Sequence, residues 1–235
     1  MLGDFDKHFS IVLANTPSLL EKSYKLRYRV FCREKKIIIP SSLTKAEIEY
    51  DQYDEHYCIH KLLFYKPTKK YVGTARIILG SLLKEKNFPI EEAAKNHFYD
   101  YVPYHKLDKN HLAEFSRLAI LPEFRPKLAV LGMMRAILQS CIKHNIYYFY
   151  AAIEPRVQRI LERIGIHLMQ ISPIVTYHNE RKCFLGFVED ILQTTYTDHP
   201  AIWEVLTNNG KLRTQHILDD RRSSDNPEDQ LFNYI

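Results

Sequence analysis

The chain has 235 residues, 46% of them hydrophobic and 26% charged, which are the proportions of an ordinary soluble globular protein. No run of residues approaches the roughly 18 consecutive apolar positions that a membrane span needs, and the N-terminal residues lack a signal-peptide layout. Four scattered cysteines without a CxxC pair argue against a disulfide framework or a structural zinc site. We therefore expect a cytoplasmic protein with free thiols.

The net charge of +5 is unevenly distributed along the chain. Residues 125–163 carry seven lysines and arginines against two glutamates. Such a basic surface attracts nucleic acid, anionic lipid or an acidic protein, because each gains from long-range electrostatic attraction. Charge alone does not choose among these partners.

In the N-terminal part, Thr16-Pro17-Ser18 is typical of a helix start, and the predicted helix extends to about Cys32. The charged, proline-broken segment 33–50 is predicted to be a loop. Two strands, at about 57–66 and 71–80, are predicted to form a β-hairpin because β-branched and aromatic residues flank a proline-containing turn.

A helical piece at 91–95 leads to a strand at 113–120, and an amphipathic helix then extends to about His144, with apolar residues spaced three and four apart. The remaining predicted elements are a strand (146–153), a helix (155–165) and two strands (167–176 and 183–189). We expect one domain over residues 1–194 and a partly flexible tail over 195–235 that contains a short helix around Trp203.

Charged residues inside apolar strands are the main functional signal. Glu114 and Arg117 lie three residues apart in one such strand, and Arg76 lies in another. Leaving any of them buried and unpaired would cost several kcal/mol, so each needs a partner or a task, unless the strand is a solvated edge strand. The candidate partners of Arg76 are Asp51, Asp54 and Glu114.

Strand geometry adds a condition to this hypothesis. Residues 114 and 117 face opposite sides of a regular strand, so both reach one site only if a β-bulge intervenes. We predict a bulge near Phe115 or Ser116. A metal site at Asp51, Asp54, His56 and His60 is not predicted, because their spacing matches no metal-binding motif.

Four motifs resemble those of the acyl-homoserine-lactone synthases and their relatives, which include the N-acyl amino acid synthases and the PEP-CTERM/exosortase-system-associated acyltransferases. These motifs are Arg27-x3-Phe31, Glu49-x-Asp51-x2-Asp54, Val72-Gly73-Thr74-Ala75-Arg76 and Glu114-x2-Arg117. The PEP-CTERM/exosortase-system-associated acyltransferases look closest, because this chain has further short motifs similar to theirs. These motifs are Tyr28–Glu34, Phe124-Arg125, Glu154-Pro155-Arg156 and Tyr177-His178. The resemblance covers residues 24 to about 187.

The resemblance implies an α/β (α+β) fold of the acyl-CoA N-acyltransferase (GNAT) type, with a central mixed, mostly antiparallel twisted sheet and helices on both faces. It also implies transfer of an acyl chain from the phosphopantetheine thioester of acyl carrier protein, or from acyl-CoA, to the amine of an amino acid or similar small molecule. No permanently bound cofactor and no nucleic-acid partner are expected. A lipid product would allow peripheral contact with a membrane.

Site residues follow from the same resemblance. Glu114 is the expected general base, and Ser116 and Arg117 complete the catalytic group. The expected acceptor-binding and ion-pair residues are Arg27, Phe31, Asp51, Asp54 and Arg76. The basic charge of residues 125–163 further suggests Arg125, Lys127, Arg156 and Arg159 as donor or carrier docking residues. Tyr177 and His178 are further candidates.

Two departures from related enzymes bear on the substrates. The run Arg125–Val130 contains no glycine to bring backbone amides close to a CoA pyrophosphate, and Leu161 stands where such enzymes often place a tyrosine acid, which favours a carrier-bound donor. Acyl-homoserine-lactone synthases have a tryptophan a few residues after the position that resembles Phe31, whereas this chain has Glu34-Lys35-Lys36-Ile37 there, which argues against recognition of S-adenosylmethionine. The alternatives are a lactone synthase that uses S-adenosylmethionine, an acetyl-CoA-dependent GNAT enzyme and a non-catalytic binding module.

Overall fold

Seven strands form one sheet in the computed structural model, which describes residues 2–38, 47–94, 97–99, 107–125 and 128–211. In chain order the strands are β1 (Phe9–Leu13), β2 (Cys58–Tyr65), β3 (Lys70–Leu79), β4 (Leu112–Ile120), β5 (Tyr148–Ile153), β6 (Met169–Tyr177) and β7 (Asn179–Phe187). Their order across the sheet is β1-β2-β3-β4-β5-β7-β6, and all neighbours are antiparallel except β4 and β5, which are parallel. This confirms the predicted mixed, mostly antiparallel sheet.

The described α-helices are α1 (Leu2–His8), α2 (Pro17–Arg27), α3 (Gly80–Leu83), α4 (Pro89–Ala94), α5 (Leu128–Lys143), α6 (Pro155–Glu162), α7 (Val188–Asp198) and α8 (Pro200–Thr207). Thr16 caps α2 by accepting a hydrogen bond from the N–H of Leu19 at 3.3 Å, as its sequence pattern indicates. Among the described helices, none has both the length and the apolar composition required to cross a membrane.

Helices cover both faces of the sheet, and the buried apolar residues form two clusters. Side chains alternate along β5, so that Phe149 and Ala151 pack in the cluster that contains α5, whereas Tyr150 packs with Ile90 of α4. We call these two surfaces the α5 face and the α4 face. The predicted GNAT-type arrangement of helices on both faces is confirmed.

Several elements differ from the prediction. The N-terminal α1 and β1 were not predicted, because the polar residues of α1 conceal Phe5, which is fully buried. The helix predicted to reach Cys32 is α-helical only to Arg27 and continues as a π-helix over Tyr28–Glu34. Strand β7 begins four residues earlier than predicted, at Asn179.

The predicted division at residue 194 falls inside α7, and the helix around Trp203 is α8. The rest of the predicted tail, residues 212–235, lies outside the described residues. The division into a domain and a tail therefore stays a prediction.

Phe5 of α1 packs directly against Gly132 of α5. A Cβ atom at position 132 would lie 1.8 Å from Cε2 of Phe5, and Arg135 lies 4.6 Å from the Phe5 ring while its Nη2 donates to Oδ1 of Asp6 at 2.6 Å. The absence of a side chain at Gly132 is therefore what lets α1 dock on α5.

We expect Gly132→Ala to destabilise the protein by about 1–3 kcal/mol, because the new methyl group overlaps the Phe5 ring. An ordinary helical Gly→Ala change would instead stabilise by about 1 kcal/mol. Urea unfolding measures the effect, and the control is the same Gly132→Ala change in a Phe5→Ala background. There the new methyl group has space, so the substitution should become stabilising. A stabilising Gly132→Ala in the wild-type background would contradict this packing.

Candidate functional site

Buried arginines and carboxylates form a single network on the α4 face. Arg27 of α2 is fully buried and donates from Nε to Oε2 of Glu49 at 2.5 Å. Its Nη1 and Nη2 donate to the two carboxylate oxygens of Asp54 at 2.7 and 2.9 Å. This two-pronged geometry is the strongest form of an arginine–carboxylate contact.

Two further arginines close the network. Arg76 of β3 donates from Nη1 to Oδ1 of Asp51 at 2.6 Å and to Oδ1 of Asp54 at 2.9 Å. Arg117 of β4 donates from Nε to Oε1 of Glu49 at 3.2 Å and from Nη2 to Oδ2 of Asp51 at 3.0 Å. Each acid therefore contacts two arginines and each arginine two acids. We call this cycle the charge ring, whose members are Arg27, Glu49, Arg117, Asp51, Arg76 and Asp54.

The charge ring keeps its acids ionised although they are buried. Burial alone would raise the pKa of Asp54, but Arg27 and Arg76 outweigh it and hold that pKa well below its usual range. The same balance of burial against arginine charge lowers the pKa values of Glu49 and Asp51. The ring is thus a set of full charges that compensate one another at neutral pH.

A β-bulge in β4 turns Arg117 towards the ring. Arg76 pairs with Ser116 and Thr74 pairs with Ala119, so the single residue between Thr74 and Arg76 faces two residues of β4. Arg117 has φ 53°, in the left-handed region. The predicted bulge is confirmed, but it lies at residues 117–118 and not at 115 or 116. It places Arg117 on the face that carries Glu114 and Ser116.

Glu114 lies on the same face but outside the charge ring. Its side chain is 1% exposed, and Oε2 accepts a hydrogen bond from the N–H of Ile90 at 2.9 Å. Burial raises the pKa of Glu114 to about 7, although this hydrogen bond and the charges of Arg76 and Arg117 oppose the rise. Glu114 therefore exchanges a proton near neutral pH, which the ring acids do not.

An apolar cavity of about 110 Å³ lies on the α5 face, directly behind this part of β4. Its lining includes Phe115, Ser116, Ala151, Leu161 and Leu206. Pairing between the parallel strands β4 and β5 ends at Phe115 and Ala151, whereas β4 continues to Ile120, so the two strands separate beside the cavity. Ser116 borders the cavity and also accepts a hydrogen bond from Nε of Arg76 at 3.1 Å.

The predicted docking residues have different environments. Arg156 and Arg159 are exposed on α6, beside the exposed Ile160. Arg125 instead donates from Nε to the carbonyl of Ile120 at 2.9 Å and from Nη2 to Oε2 of Glu34 at 2.5 Å. Lys127 lies outside the described residues.

Arg135 corrects the extent of basic surface inferred from the sequence. It is 7% exposed and forms an ion pair with Asp6, so it adds nothing to an exposed basic patch. Among the described residues of this segment, the exposed positive charges are Lys143 at the end of α5 and Arg156, Arg159 and Arg163 on or directly after α6.

The other predicted site residues, Phe31, Tyr177 and His178, are not members of the charge ring. Phe31 packs in the hydrophobic core with 6% exposure. His178, in the turn between β6 and β7, has φ 63° and is accessible to solvent; partial burial, Arg117 and Arg181 lower its pKa. Tyr177 ends β6, and its side chain is not among those described. Their functional roles stay predictions.

Asp54, Cys58 and His60 bring their ligand-type atoms within 4.8 Å of one another. Guanidinium groups already contact both oxygens of Asp54, however, and would repel a metal cation. Burial lowers the pKa of His60 to about 4, so the imidazole is neutral at pH 7. Asp54 is thus a member of the charge ring, and His60 lies beside it with its Nε2 3.4 Å from Oδ1 of Asp54.

Glu49 is the site residue to which sequence reasoning gave no role. It links Arg27 and Arg117, which are not otherwise in contact within the ring. Its spacing from Asp51 and Asp54 in the Glu49-x-Asp51-x2-Asp54 motif was the available signal.

Comparisons with known proteins agree with this architecture. Residues 26–135, slightly under half of the chain, match the family model of an acetyltransferase (GNAT) domain. The fold is that of the GNAT acyltransferases. The predictions of this fold and of a GNAT-type acyltransferase are therefore confirmed. No curated protein sequence matches the chain significantly.

Solved structures with the same fold include TofI in a ternary complex with an inhibitor and MTA, at 20% identity and a TM-score of 0.61, with 83% of this chain and 99% of TofI covered. The CoA-dependent acyl-homoserine lactone synthase BjaI, with SAM and isopentyl-CoA, has 16% identity and a TM-score of 0.58, covering 86% and 88%. FeeM, an N-acyl amino acid synthase from uncultured soil microbes, has 14% identity and a TM-score of 0.59, covering 79% and 93%. At these sequence identities the similarity establishes a shared fold and nothing further.

We expect Asp54→Asn to reduce the free energy of unfolding at pH 7 by about 3–5 kcal/mol, because Arg27 and Arg76 lose a shared anion. Since the folded-state pKa of Asp54 is lowered, its stabilisation is complete above the pKa of the unfolded chain and is lost as pH falls towards the folded value. The difference from wild type should therefore narrow below about pH 4.

Urea unfolding at pH 7 and pH 3 measures this difference. Glu55→Gln is the control, because Glu55 neighbours Asp54 in the chain but is exposed and lies outside the ring. A gap of equal size at both pH values, or an equal loss in the control, would contradict the electrostatic role of Asp54.

Proposed function

We propose that the protein is an N-acyltransferase that moves an acyl chain from the phosphopantetheine thioester of acyl carrier protein to the amine of an amino acid or similar small molecule. The observation that carries this proposal is the arrangement along β4. Glu114, a carboxyl group with a pKa near neutrality, lies two residues from Ser116, which borders an apolar cavity. A proton acceptor and a space for an acyl chain thus lie on the two faces of one strand, where β4 separates from β5.

Glu114 is suited to the role of general base. The amine nitrogen attacks the thioester carbonyl carbon, the new N–C bond forms as the C–S bond breaks, and the amine proton passes to Glu114 directly or through water. The resulting carboxylic acid can return that proton to the departing pantetheine thiolate. A base with a pKa near 7 is effective for both transfers at neutral pH.

The separation of β4 from β5 supports a site for the developing negative charge. Backbone amides beyond Phe115 and Ala151 are not paired between these two strands. Fixed amide donors at such a position would stabilise the oxyanion of the tetrahedral intermediate.

The charge ring supports an amino-acid acceptor. Nη2 of Arg76 is buried, and no hydrogen-bond partner for it occurs within the described residues. A buried donor of this kind gains from an added acceptor, and the carboxylate of an amino acid would supply one. Asp51 and Asp54 would hold the Arg76 guanidinium in position.

The exposed arginines of α6 support a carrier-bound donor. Acyl carrier protein is acidic, and Arg156 and Arg159 present positive charge without an ion-pair partner among the described residues. The neighbour BjaI is described as CoA-dependent, so CoA remains the alternative donor. The motif resemblance further supports a relation to the PEP-CTERM/exosortase-system-associated acyltransferases.

We expect Glu114→Gln to lower kcat by about 10²–10⁴-fold, because glutamine retains the size of the side chain but cannot accept the proton. In the wild type, kcat/KM should rise with pH through about 7 as Glu114 loses its proton, and this rise should disappear in the variant. The assay combines acyl carrier protein donors with a panel of amino acids and identifies products by mass spectrometry.

Glu91→Gln provides the control, since Glu91 is another partly buried carboxyl group with a raised pKa on the adjacent α4. It should retain wild-type activity. Wild-type rates in Glu114→Gln would remove Glu114 as the base, and an acyl-homoserine lactone product from S-adenosylmethionine would identify the alternative function.

We expect Arg156→Glu combined with Arg159→Glu to raise KM for the acyl carrier protein donor about tenfold or more, through lost electrostatic complementarity. The rate with a small acyl-pantetheine thioester should not change, because it lacks the acidic carrier. Lys70→Glu, an exposed charge reversal at the start of β3, is the matched control. Equal effects on both donors would contradict carrier docking on α6.

A further inference from the structure

We infer that the C-terminal helix pair α7–α8 forms one wall of the acyl-chain cavity, and that Leu206 of α8 limits the length of the acyl chain that the enzyme accepts. This inference rests on the proposed acyltransferase function. It assigns a substrate-selecting role to a part of the chain that lies outside the matched domain segment 26–135.

The cavity lies between the sheet and the helical layer. Strands β3, β4 and β5 provide the sheet wall, and α5 and α6 provide part of the helical wall. The remaining helical residues are Val188 and Ile191 of α7 and Leu206 of α8. Helix α8 follows the last strand and packs against both α5 and α7, so it closes the cavity after the sheet is complete.

The chemistry of the lining identifies the occupant as a hydrocarbon chain. Apart from the hydroxyl of Ser116 and the thiol of Cys141, the described lining side chains are apolar. An acyl chain bound here would have its carbonyl at Ser116, because β4 and β5 separate directly after Phe115 and Ala151. Its methyl end would then extend towards the helical layer.

The size of the cavity restricts the chain. The volume of about 110 Å³ is smaller than the roughly 150 Å³ of an engineered apolar cavity that admits benzene. A short acyl chain fits this space, whereas a longer one requires a lining side chain to be removed or displaced. Leu206 is 2% exposed and belongs to an element that is not held by strand pairing, so a change there alters the cavity without breaking the sheet.

The chain provides matched controls. Val205 precedes Leu206 in α8 and is 1% exposed, but it does not line the cavity. Leu192 of α7 is 4% exposed and also does not line it, although its neighbour Ile191 does. Leu192→Ala therefore removes the same atoms from a buried helix position as Leu206→Ala while leaving the cavity wall intact.

The test is a competition among straight-chain acyl carrier protein donors of increasing length, with products quantified by mass spectrometry. Leu206→Ala removes about three carbon atoms from the wall, so we expect the preferred chain to lengthen by about two to three carbons. Leu206→Phe, which keeps the position filled, should exclude the longest chains that the wild type accepts. Leu192→Ala should leave the length profile unchanged.

A binding measurement separates this inference from the proposed function. Calorimetric titration with straight-chain fatty acids of increasing length requires no acyl transfer, and Leu206→Ala should shift the best-binding length in the same direction. Absence of transfer by the wild type, with this binding shift present, would overturn the function and leave the cavity assignment standing. The same length profile in the Leu206 and Leu192 variants, in transfer and in binding, would overturn the role of Leu206.

Discussion

The site depends on the charge ring, in which buried arginines and carboxylates alternate and neutralise one another. Each carboxylate contacts two guanidinium groups, so none of the six charges can be removed without exposing two others to an uncompensated environment. The ring joins α2, the segment 49–54, β3 and β4. The polar side of the site is therefore held by ionic contacts, whereas the opposite side of the sheet is held by apolar packing.

This closure also explains how two kinds of carboxyl group coexist on one face. The arginines attract a negative charge on Glu114, yet burial dominates its pKa because the guanidinium charges are already compensated by the ring acids. An incomplete ring would leave more positive charge near Glu114 and would lower its pKa. The ring thus sets the electrostatic environment of Glu114, the proposed general base, which is not one of its members.

Sequence reasoning singled out Arg76 and Arg117 of the ring, and Glu114 beside it, because all three are charged residues in apolar strands. It did not find their pairing, since Glu49 and Arg117 are 68 positions apart and meet only in the folded sheet. The bulge was predicted from the need for Glu114 and Arg117 to reach one site, but that argument does not fix its position to a single residue. The sequence pattern of the π-helix after Arg27 does not differ from that of an α-helix, so it was not predicted. Helix α1 was not predicted either, because the evidence for it is a tertiary contact between Phe5 and Gly132.

The extra residue in β4 has a consequence for insertions and deletions. Without it, Arg117 would return to the α5 face, where it would place a guanidinium against the apolar cavity. Every residue of β4 beyond the deletion would exchange faces, and the left-handed conformation at Arg117, which costs roughly 1–2 kcal/mol, would no longer be required. The strand would become regular, but its charged and apolar residues would no longer lie on separate faces. The number of residues in β4 is therefore as strongly constrained as their types.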